Sequence, residues 1–138
     1  MSSRVGVIGG GQLARMMVPS AVALGIDIRV LAETEGSSAA IAATSVGDYT
    51  DAATVLAFAR EVDVVTFDHE HVPQAVLAAL VDAGHAVHPG PDPLAIAQDK
   101  IVMRERLTAM GAPCPTGPSC TTPRAWRRSS TTTAGAPW

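Results

Sequence analysis

Short segments rich in Val and Ile alternate along this chain with stretches whose apolar residues recur at helical spacing. Strands are predicted at residues 4–8, 26–31, 63–67 and 85–88, and helical patterns at about 12–24, 51–60, after Pro73, and at about 92–110. Strands that alternate with helices favour a parallel sheet covered on both faces. The sequence therefore predicts an α/β fold with a doubly wound parallel sheet.

Size and composition limit the classes of protein to which this chain can belong. Its 138 residues suffice for one domain, or one domain plus a tail, and 47% apolar residues are typical of a globular core. A formal net charge of −3 gives no field that would attract nucleic acid or an anionic membrane. Cys114 and Cys120 form no disulfide framework and no tetrahedral metal set. We expect a cytoplasmic protein that binds neither nucleic acid nor membrane.

Four local features bear on where the predicted elements begin, end or bend. Residues 32–50 are small and polar and receive no assignment, and Pro19 interrupts the first helical pattern, where it should kink the helix. Asp51 stands where it can cap the second helix, and Pro73 stands at a plausible first position of the third.

The composition changes near residue 115. Residues 116–138 contain nine Ser and Thr, no Asp or Glu, and both tryptophans, with no apolar period. Such a segment cannot bury a face, so we predict a disordered tail. Two origins are open: a natural flexible extension, or a frameshift or premature end that has replaced the native continuation.

Three consecutive glycines lie between the first strand and the first helix. Gly9, Gly10 and Gly11 allow a sharp turn, and the start of the helix adds unpaired N–H donors, which together suit a phosphate. Gly9, Gly11 and Ala14 also satisfy the dinucleotide pattern G-x-G-x-x-A, and Glu33 is placed to hold a ribose hydroxyl. The alternatives are a dinucleotide site of the NAD type, a sugar-phosphate site, or a tight turn without a ligand.

Three longer motifs are more specific than the glycines. The stretches GVIGGGQLARMM, DVVTFDHEHVP and LAIAQDKIVMRERLTAMGAPCP occur in this order. They resemble the patterns IGIIGGGQLGRMM and DVVTYEFENI, and the segment that leads towards the ATP-grasp domain, in 5-(carboxyamino)imidazole ribonucleotide synthases. The resemblance covers residues 4–115. It implies a Rossmann-like pre-ATP-grasp domain over residues 1–115, with 91–115 leading towards an ATP-grasp domain that the chain lacks, and a non-native tail at 116–138.

The resemblance also implies a reaction. In that family, ATP and bicarbonate form carboxyphosphate, magnesium ions bridge the nucleotide phosphates, and the carboxylate passes to the amine of 5-aminoimidazole ribonucleotide. The family is thus a group of ATP-grasp ligases of de novo purine biosynthesis. Since the nucleotide site lies in the absent domain, we expect no catalytic residue in this chain and no activity from it alone.

Particular residues take roles from the resemblance. The substrate-side positions are Gly9, Gly10, Gly11, Gln12, Leu13 and Glu70. Backbone N–H groups of the turn would face the phosphate of the ribonucleotide, and Glu70 would accept hydrogen bonds from its amine or a ribose hydroxyl, unless it is only a solvated acid at a strand end. Lys100 would contact ATP in a full-length protein, the alternative being a lysine on a helix surface.

Two further readings complete the sequence-based predictions. The run from His69 to His71 invites a metal site, but no third ligand lies at useful spacing, so no metal site is predicted. A non-catalytic remnant with uncovered apolar surface would associate with itself, for example as a homodimer. The competing function remains a stand-alone dinucleotide-binding module, which saturable binding of NAD would reveal.

Overall fold

The computed structural model describes residues 2–113 of the chain. Its elements, in chain order, are β1 (Arg4–Ile8), α1 (Gln12–Ala23), β2 (Asp27–Ala32), β3 (Ala43–Val46), α2 (Ala52–Ala59), β4 (Val64–Phe67), α3 (Gln74–Asp82), α4 (Pro91–Gln98) and α5 (Lys100–Ala109). The described residues belong to two units, which divide after Gln98. The first contains the whole sheet, and α5 is the element described in the second.

The four strands form one parallel sheet in the order β3-β2-β1-β4. From β1 the chain proceeds to β2 and β3 on one side, and then crosses to β4 on the other side of β1. The direction of winding therefore reverses between β1 and β4. In open α/β sheets ligands bind at such a switch point, outside the carboxyl ends of the strands. The predicted doubly wound α/β fold is confirmed.

The core consists of two apolar clusters, in accordance with the alternation of side chains along each strand. In β1, Val7 belongs to one cluster and its neighbour Ile8 to the other, and β2 repeats this with Val30 and Leu31. The smaller cluster includes Ala14 of α1, whereas the larger includes buried residues of α2, α3 and α4. The helices thus cover the two faces of the sheet, mostly with Ala, Val and Leu side chains.

Local signals account for where the helices begin. Asp51 caps α2, its carboxylate accepting hydrogen bonds from the Ala53 and Thr54 N–H groups at 3.4 and 2.9 Å, as predicted. Pro73 is the N-cap residue of α3, one position before the predicted one. The helix α1 continues through Pro19 to Ala23.

Two strand predictions need correction. Residues 85–88 do not form a strand: Val87 makes a single parallel bridge to Val65, although Val87 itself is buried. The strand β3 lies instead within the unassigned stretch 32–50. All four of its residues are exposed at the edge of the sheet, so it shows no alternation of buried and solvated positions by which a strand is detected.

The helix α5 begins after Asp99, whose carboxylate accepts hydrogen bonds from the Ile101 and Val102 N–H groups at 2.8 and 3.2 Å. None of its residues is buried. Within residues 2–113, no helix combines the length and the apolar character needed to cross a bilayer. The predicted tail at 116–138 lies outside the described residues.

Candidate functional site

The glycine turn after β1 meets the loop after β4 at the switch point of the sheet. The Gly9 N–H donates to the Leu31 carbonyl at 2.9 Å, which extends the β1–β2 ladder into the turn. On the other side the Asp68 N–H donates to the Ile8 carbonyl, also at 2.9 Å. The turn is therefore fixed between the ends of both neighbouring strands.

A Cβ on any glycine of the turn would approach a neighbouring atom to less than 3.0 Å. Gly9 has φ +105°, and a Cβ on it would stand 2.9 Å from Asp68 Cβ and from the His69 ring. A Cβ on Gly10 would stand 2.6 Å from Ala32 Cβ. On Gly11 it would stand 2.5 Å from Asp68 Oδ2. Gly9 and Gly10 are thus required for close packing, whereas at Gly11 the obstacle is the end of the Asp68 side chain.

Within residues 2–113, the N-terminus of α1 carries N–H donors without a partner. Gly11 is the N-cap residue and makes no side-chain hydrogen bond to the first turn, which contains no acidic residue. The next two residues, Gln12 and Leu13, are exposed, Leu13 by 57%. The first N–H groups of a helix have no partner within the helix, and they attract anions together with the helix dipole. The predicted phosphate position therefore coincides with an uncapped helix start.

A carboxylate bridges the turn and the β4 loop. The Gly10 N–H donates to Glu33 Oε2 at 3.2 Å, and Glu33 Oε1 lies 3.2 Å from His69 Nε2. Partial burial opposes the charged form of Glu33, but hydrogen bonds from its own backbone, from Gly10 and from His69 outweigh it. The pKa of Glu33 therefore lies below its ordinary value. Glu33, proposed by its position to hold a ribose hydroxyl, is engaged by the protein itself.

His69 is enclosed by other side chains as well. The rings of Tyr49 and His71 lie 4.8 and 5.4 Å from its ring, centroid to centroid. The His71 N–H donates to His69 Nδ1 at 3.2 Å. An Nδ1 that accepts leaves Nε2 to carry the proton, so the neutral ring donates to Glu33.

Asp68 brings a second carboxylate to the turn. Its Oδ2 is buried against Gly11 and has no hydrogen-bond partner within the described part of the chain. Since buried polar atoms are normally paired, an orphaned carboxylate oxygen at a predicted ligand site is a place where a ligand hydroxyl, amine or water can donate. From the motif at residues 63–73 we predicted a substrate-binding acid in this loop, at Glu70 and not at Asp68.

Glu70 lies further along the same loop. The strand ends at Phe67, and residues 68–70 bend, so the run of alternating side chains expected for an extended strand does not form. Glu70 is half-buried, and its carbonyl accepts from Gln98 Nε2 at 2.7 Å. Asp68 and His69 of this loop approach the glycine turn. The role of the Glu70 side chain towards a substrate stays a prediction.

Gln98, at the end of α4, holds this loop in place. Besides Glu70, its Nε2 reaches the Val72 carbonyl at 2.8 Å, and its Oε1 accepts from Gln74 Nε2 at 3.0 Å. Sequence reasoning placed Gln98 only inside a family segment and gave it no structural role. Its partners lie more than twenty residues away, and no local pattern marks such a contact.

Lys100 is the first residue of α5, in the second unit, and is exposed. Its contact with ATP stays a prediction. Among residues 2–113, no group of three or more His, Cys, Asp and Glu side chains is arranged to hold a metal ion.

Fold and turn together define a class of protein. The family described as the ribonucleotide synthetase pre-ATP-grasp domain matches residues 1–98, and the chain belongs to that family. Among curated relatives it is similar to the N5-carboxyaminoimidazole ribonucleotide synthases of Corynebacterium ammoniagenes and Mycobacterium tuberculosis, with 50% and 48% identity over 113 residues. These matches cover 80% of this chain but 27% and 26% of the relatives. The chain thus spans about a quarter of their length.

Solved structures agree with this assignment. N5-carboxyaminoimidazole ribonucleotide synthetase from Thermotoga maritima matches with a TM-score of 0.74 and 35% identity, over 83% of this chain and 32% of that one. The Aspergillus clavatus synthase, in complex with ADP and 5-aminoimidazole ribonucleotide, matches with a TM-score of 0.75 and 32% identity, over 83% and 31%. The family resemblance predicted from the sequence is confirmed, and the alternative of a stand-alone dinucleotide module is not favoured.

Proposed function

We propose that this chain is the substrate-side domain of an ATP-dependent ligase of purine biosynthesis, which carboxylates 5-aminoimidazole ribonucleotide with bicarbonate. The observation that carries the proposal is the uncapped start of α1 at the glycine turn, located at the switch point of the sheet. A phosphate monoester accepts several hydrogen bonds at once, and consecutive backbone N–H groups provide them. The names of the relatives support a ribonucleotide as the ligand.

Within this proposal the phosphate of the ribonucleotide lies against Gly11, Gln12 and Leu13. Gly9 and Gly10 are both buried, so within this proposal they shape the turn on the side away from the ligand. The unpaired Asp68 Oδ2 stands next to Gly11, and it accepts a hydrogen bond from a hydroxyl or amine of the bound ribonucleotide. Glu70, two residues further on, keeps its proposed contact with the amine or the ribose.

ATP, magnesium and bicarbonate belong to the same proposal for the full-length enzyme. ATP activates bicarbonate as carboxyphosphate, and the residue of this chain proposed to contact the nucleotide is Lys100, a compact cation suited to phosphate. The structures of relatives with ADP support a nucleotide site in the family. Residues 2–113 contribute binding and orientation, and we propose that the chain alone is inactive and that the enzyme is cytoplasmic.

Self-association is a further part of the proposal. Several large apolar side chains of α1 and the turn after it are exposed, namely Met16 by 68%, Val22 by 73% and Leu24 by 73%. Uncovered apolar surface of this kind favours association, and a homodimer is the simplest form. Sedimentation velocity of the purified chain over a range of concentrations measures it. A chain that remains monomeric throughout contradicts this part.

Calorimetric titration of the purified 138-residue chain tests the substrate. Three ligands are titrated in parallel: 5-aminoimidazole ribonucleotide, NAD and ATP. The proposal predicts saturable binding of the ribonucleotide and none of NAD. Saturable binding of NAD without a response to the ribonucleotide contradicts it.

A pair of glycine variants locates the binding at the turn. Gly11→Val places a branched side chain against Asp68 and over the start of α1, and should abolish ribonucleotide binding. Gly90→Ala is the control, because a Cβ at Gly90 meets nothing within 4 Å. Circular dichroism of both variants checks that the fold is kept. Equal loss of binding in the two variants, with the fold intact, would move the site away from the turn.

A further inference from the structure

The bridge through Glu33 joins three separate segments. Glu33 follows β2, its Oε2 accepts from the Gly10 N–H of the turn after β1, and its Oε1 faces His69 Nε2 of the loop after β4. The same His69 ring lies against Gly9, where a Cβ would approach its Nε2 to 3.1 Å. One carboxylate thus uses both oxygens to connect the ends of three neighbouring strands.

The neighbours of the His69 ring indicate the direction of each hydrogen bond in the bridge. The His71 N–H occupies His69 Nδ1, so the neutral ring carries its proton on Nε2 and donates it to Glu33. Glu33 accepts at both oxygens, which an amide side chain cannot do. The side chains of His69 and Glu33 are 21% and 42% exposed, so the bridge lies at the rim of the site.

We propose that Glu33 and His69 are positioning residues that hold the glycine turn in its binding geometry. Glu33 takes the Gly10 N–H for itself, and the Gly9 N–H is used by Leu31. The turn therefore offers a ligand the N–H groups of Gly11 and the first turn of α1, enough for one terminal phosphate. This consequence for the ligand rests on the proposed function, whereas the bridge itself does not.

The bridge also opposes a second phosphate group. A pyrophosphate that reached from the start of α1 to Gly10 would compete with a carboxylate of like charge for the same N–H group. Glu33 thereby favours a phosphate monoester over the pyrophosphate of a dinucleotide at this turn. In this role Glu33 disfavours a dinucleotide, whereas its position in the sequence suggested that it binds the ribose of one.

Nuclear magnetic resonance of the ¹⁵N-labelled chain tests the bridge without any ligand. In the native chain, long-range ¹H–¹⁵N correlations should show His69 with its proton on Nε2, and the Gly10 N–H should exchange slowly. Glu33→Ala should release both groups and shift the Gly10 and Gly11 resonances. Glu33→Gln keeps one oxygen and should lose one of the two hydrogen bonds. Glu35→Ala, an acid-to-alanine change at an exposed position of the same loop, is the matched control.

Ribonucleotide titration of the same variants tests the consequence. We expect affinity to fall about tenfold in Glu33→Ala, as for the loss of one charged hydrogen bond that orients the turn, with partial recovery in Glu33→Gln. If Glu33 acted on the ligand only through the repulsion of its negative charge, both variants would bind the anion more tightly than the native chain. That result would overturn the positioning role. Unchanged Gly10 and Gly11 resonances in Glu33→Ala would also overturn it. A native chain that shows the bridge but binds no ribonucleotide contradicts the proposed function and leaves the bridge established.

Discussion

Asp68 Oδ2 lies where a single methyl group on Gly11 would collide with it, 2.5 Å from the position of that Cβ. Gly11 itself has φ −79° and ψ −166°, an extended conformation that alanine adopts without strain. The restriction on position 11 therefore comes from the Asp68 side chain and not from the backbone of Gly11. The same pair of residues lies beside the helix start that is proposed to bind the phosphate, with the unpaired Asp68 Oδ2 left to accept from a hydroxyl or amine of the ligand.

A double-mutant cycle measures this relationship. Gly11→Ala should lower the free energy of unfolding by about 1–3 kcal/mol, as other overpacked substitutions do. In the background of Asp68→Ala the obstacle is gone, and the same change should be neutral or stabilising, by up to about 1 kcal/mol, because alanine restricts the unfolded chain. Urea denaturation of the four proteins gives the coupling energy. Equal cost of Gly11→Ala in both backgrounds would show that the clash does not govern this position.

Gln98→Glu tests the contact that anchors the β4 loop. The isosteric acid loses both donors of the amide and points a carboxylate oxygen at the Glu70 and Val72 carbonyls, so we expect a loss of about 1–3 kcal/mol in the free energy of unfolding. Gln12→Glu makes the same change at the exposed start of α1, where an acid should be neutral or slightly stabilising because it faces the positive end of the helix. Urea denaturation measures both variants. If they are equally stable, the result contradicts the anchoring role of Gln98.

The lowered pKa of Glu33 predicts how stability depends on pH. Because the carboxylate has a lower pKa in the folded chain than its ordinary value of 4.5, its contribution is fully present above that value. The contribution disappears as the pH falls through the folded pKa. Glu33→Gln should therefore reduce stability near neutral pH, by less than about 1 kcal/mol for a group this exposed, and the difference should vanish in acid.

Unfolding of the native chain, Glu33→Gln and the control Glu35→Gln between about pH 7 and pH 3 measures this effect. Glu35→Gln should follow the native curve more closely than Glu33→Gln does. A difference between the native chain and Glu33→Gln that grows as the pH falls has the wrong sign and would contradict the hydrogen bonds assigned to Glu33.

The fold was predictable because its central strands are buried and short. Segments such as the one from Arg4 to Ile8 carry the Val and Ile content that marks an inner parallel strand, and glycines punctuate their ends. The edge strand β3 is exposed along its whole length and carries no such signal. Residues 85–88 contain one Val and no Ile, and in the described part of the chain their sheet pairing is the single bridge from Val87 to Val65.

The site was predictable in part. Gly9, Gly10 and Gly11 follow from the position of the turn between a strand and a helix. The contacts from Asp68 and His69 depend on where β4 ends and how the chain bends after Phe67, and neither can be read from the residue types. The hydrogen bond between Glu33 and His69 joins residues 36 positions apart, which local patterns do not reveal.

The central claim is that the start of α1 binds the phosphate of 5-aminoimidazole ribonucleotide, and an amide-resolved titration tests it most directly. In ¹H–¹⁵N spectra of the native chain, the ribonucleotide should shift the resonances of Gly11, Gln12 and Leu13 along saturable curves. The Gly10 resonance should move less, because the Gly10 N–H already donates to Glu33. Inorganic phosphate should shift the same three resonances more weakly, and NAD should shift none. Saturable shifts confined to residues outside the turn, or a response of Gly11 to NAD and not to the ribonucleotide, would contradict the account.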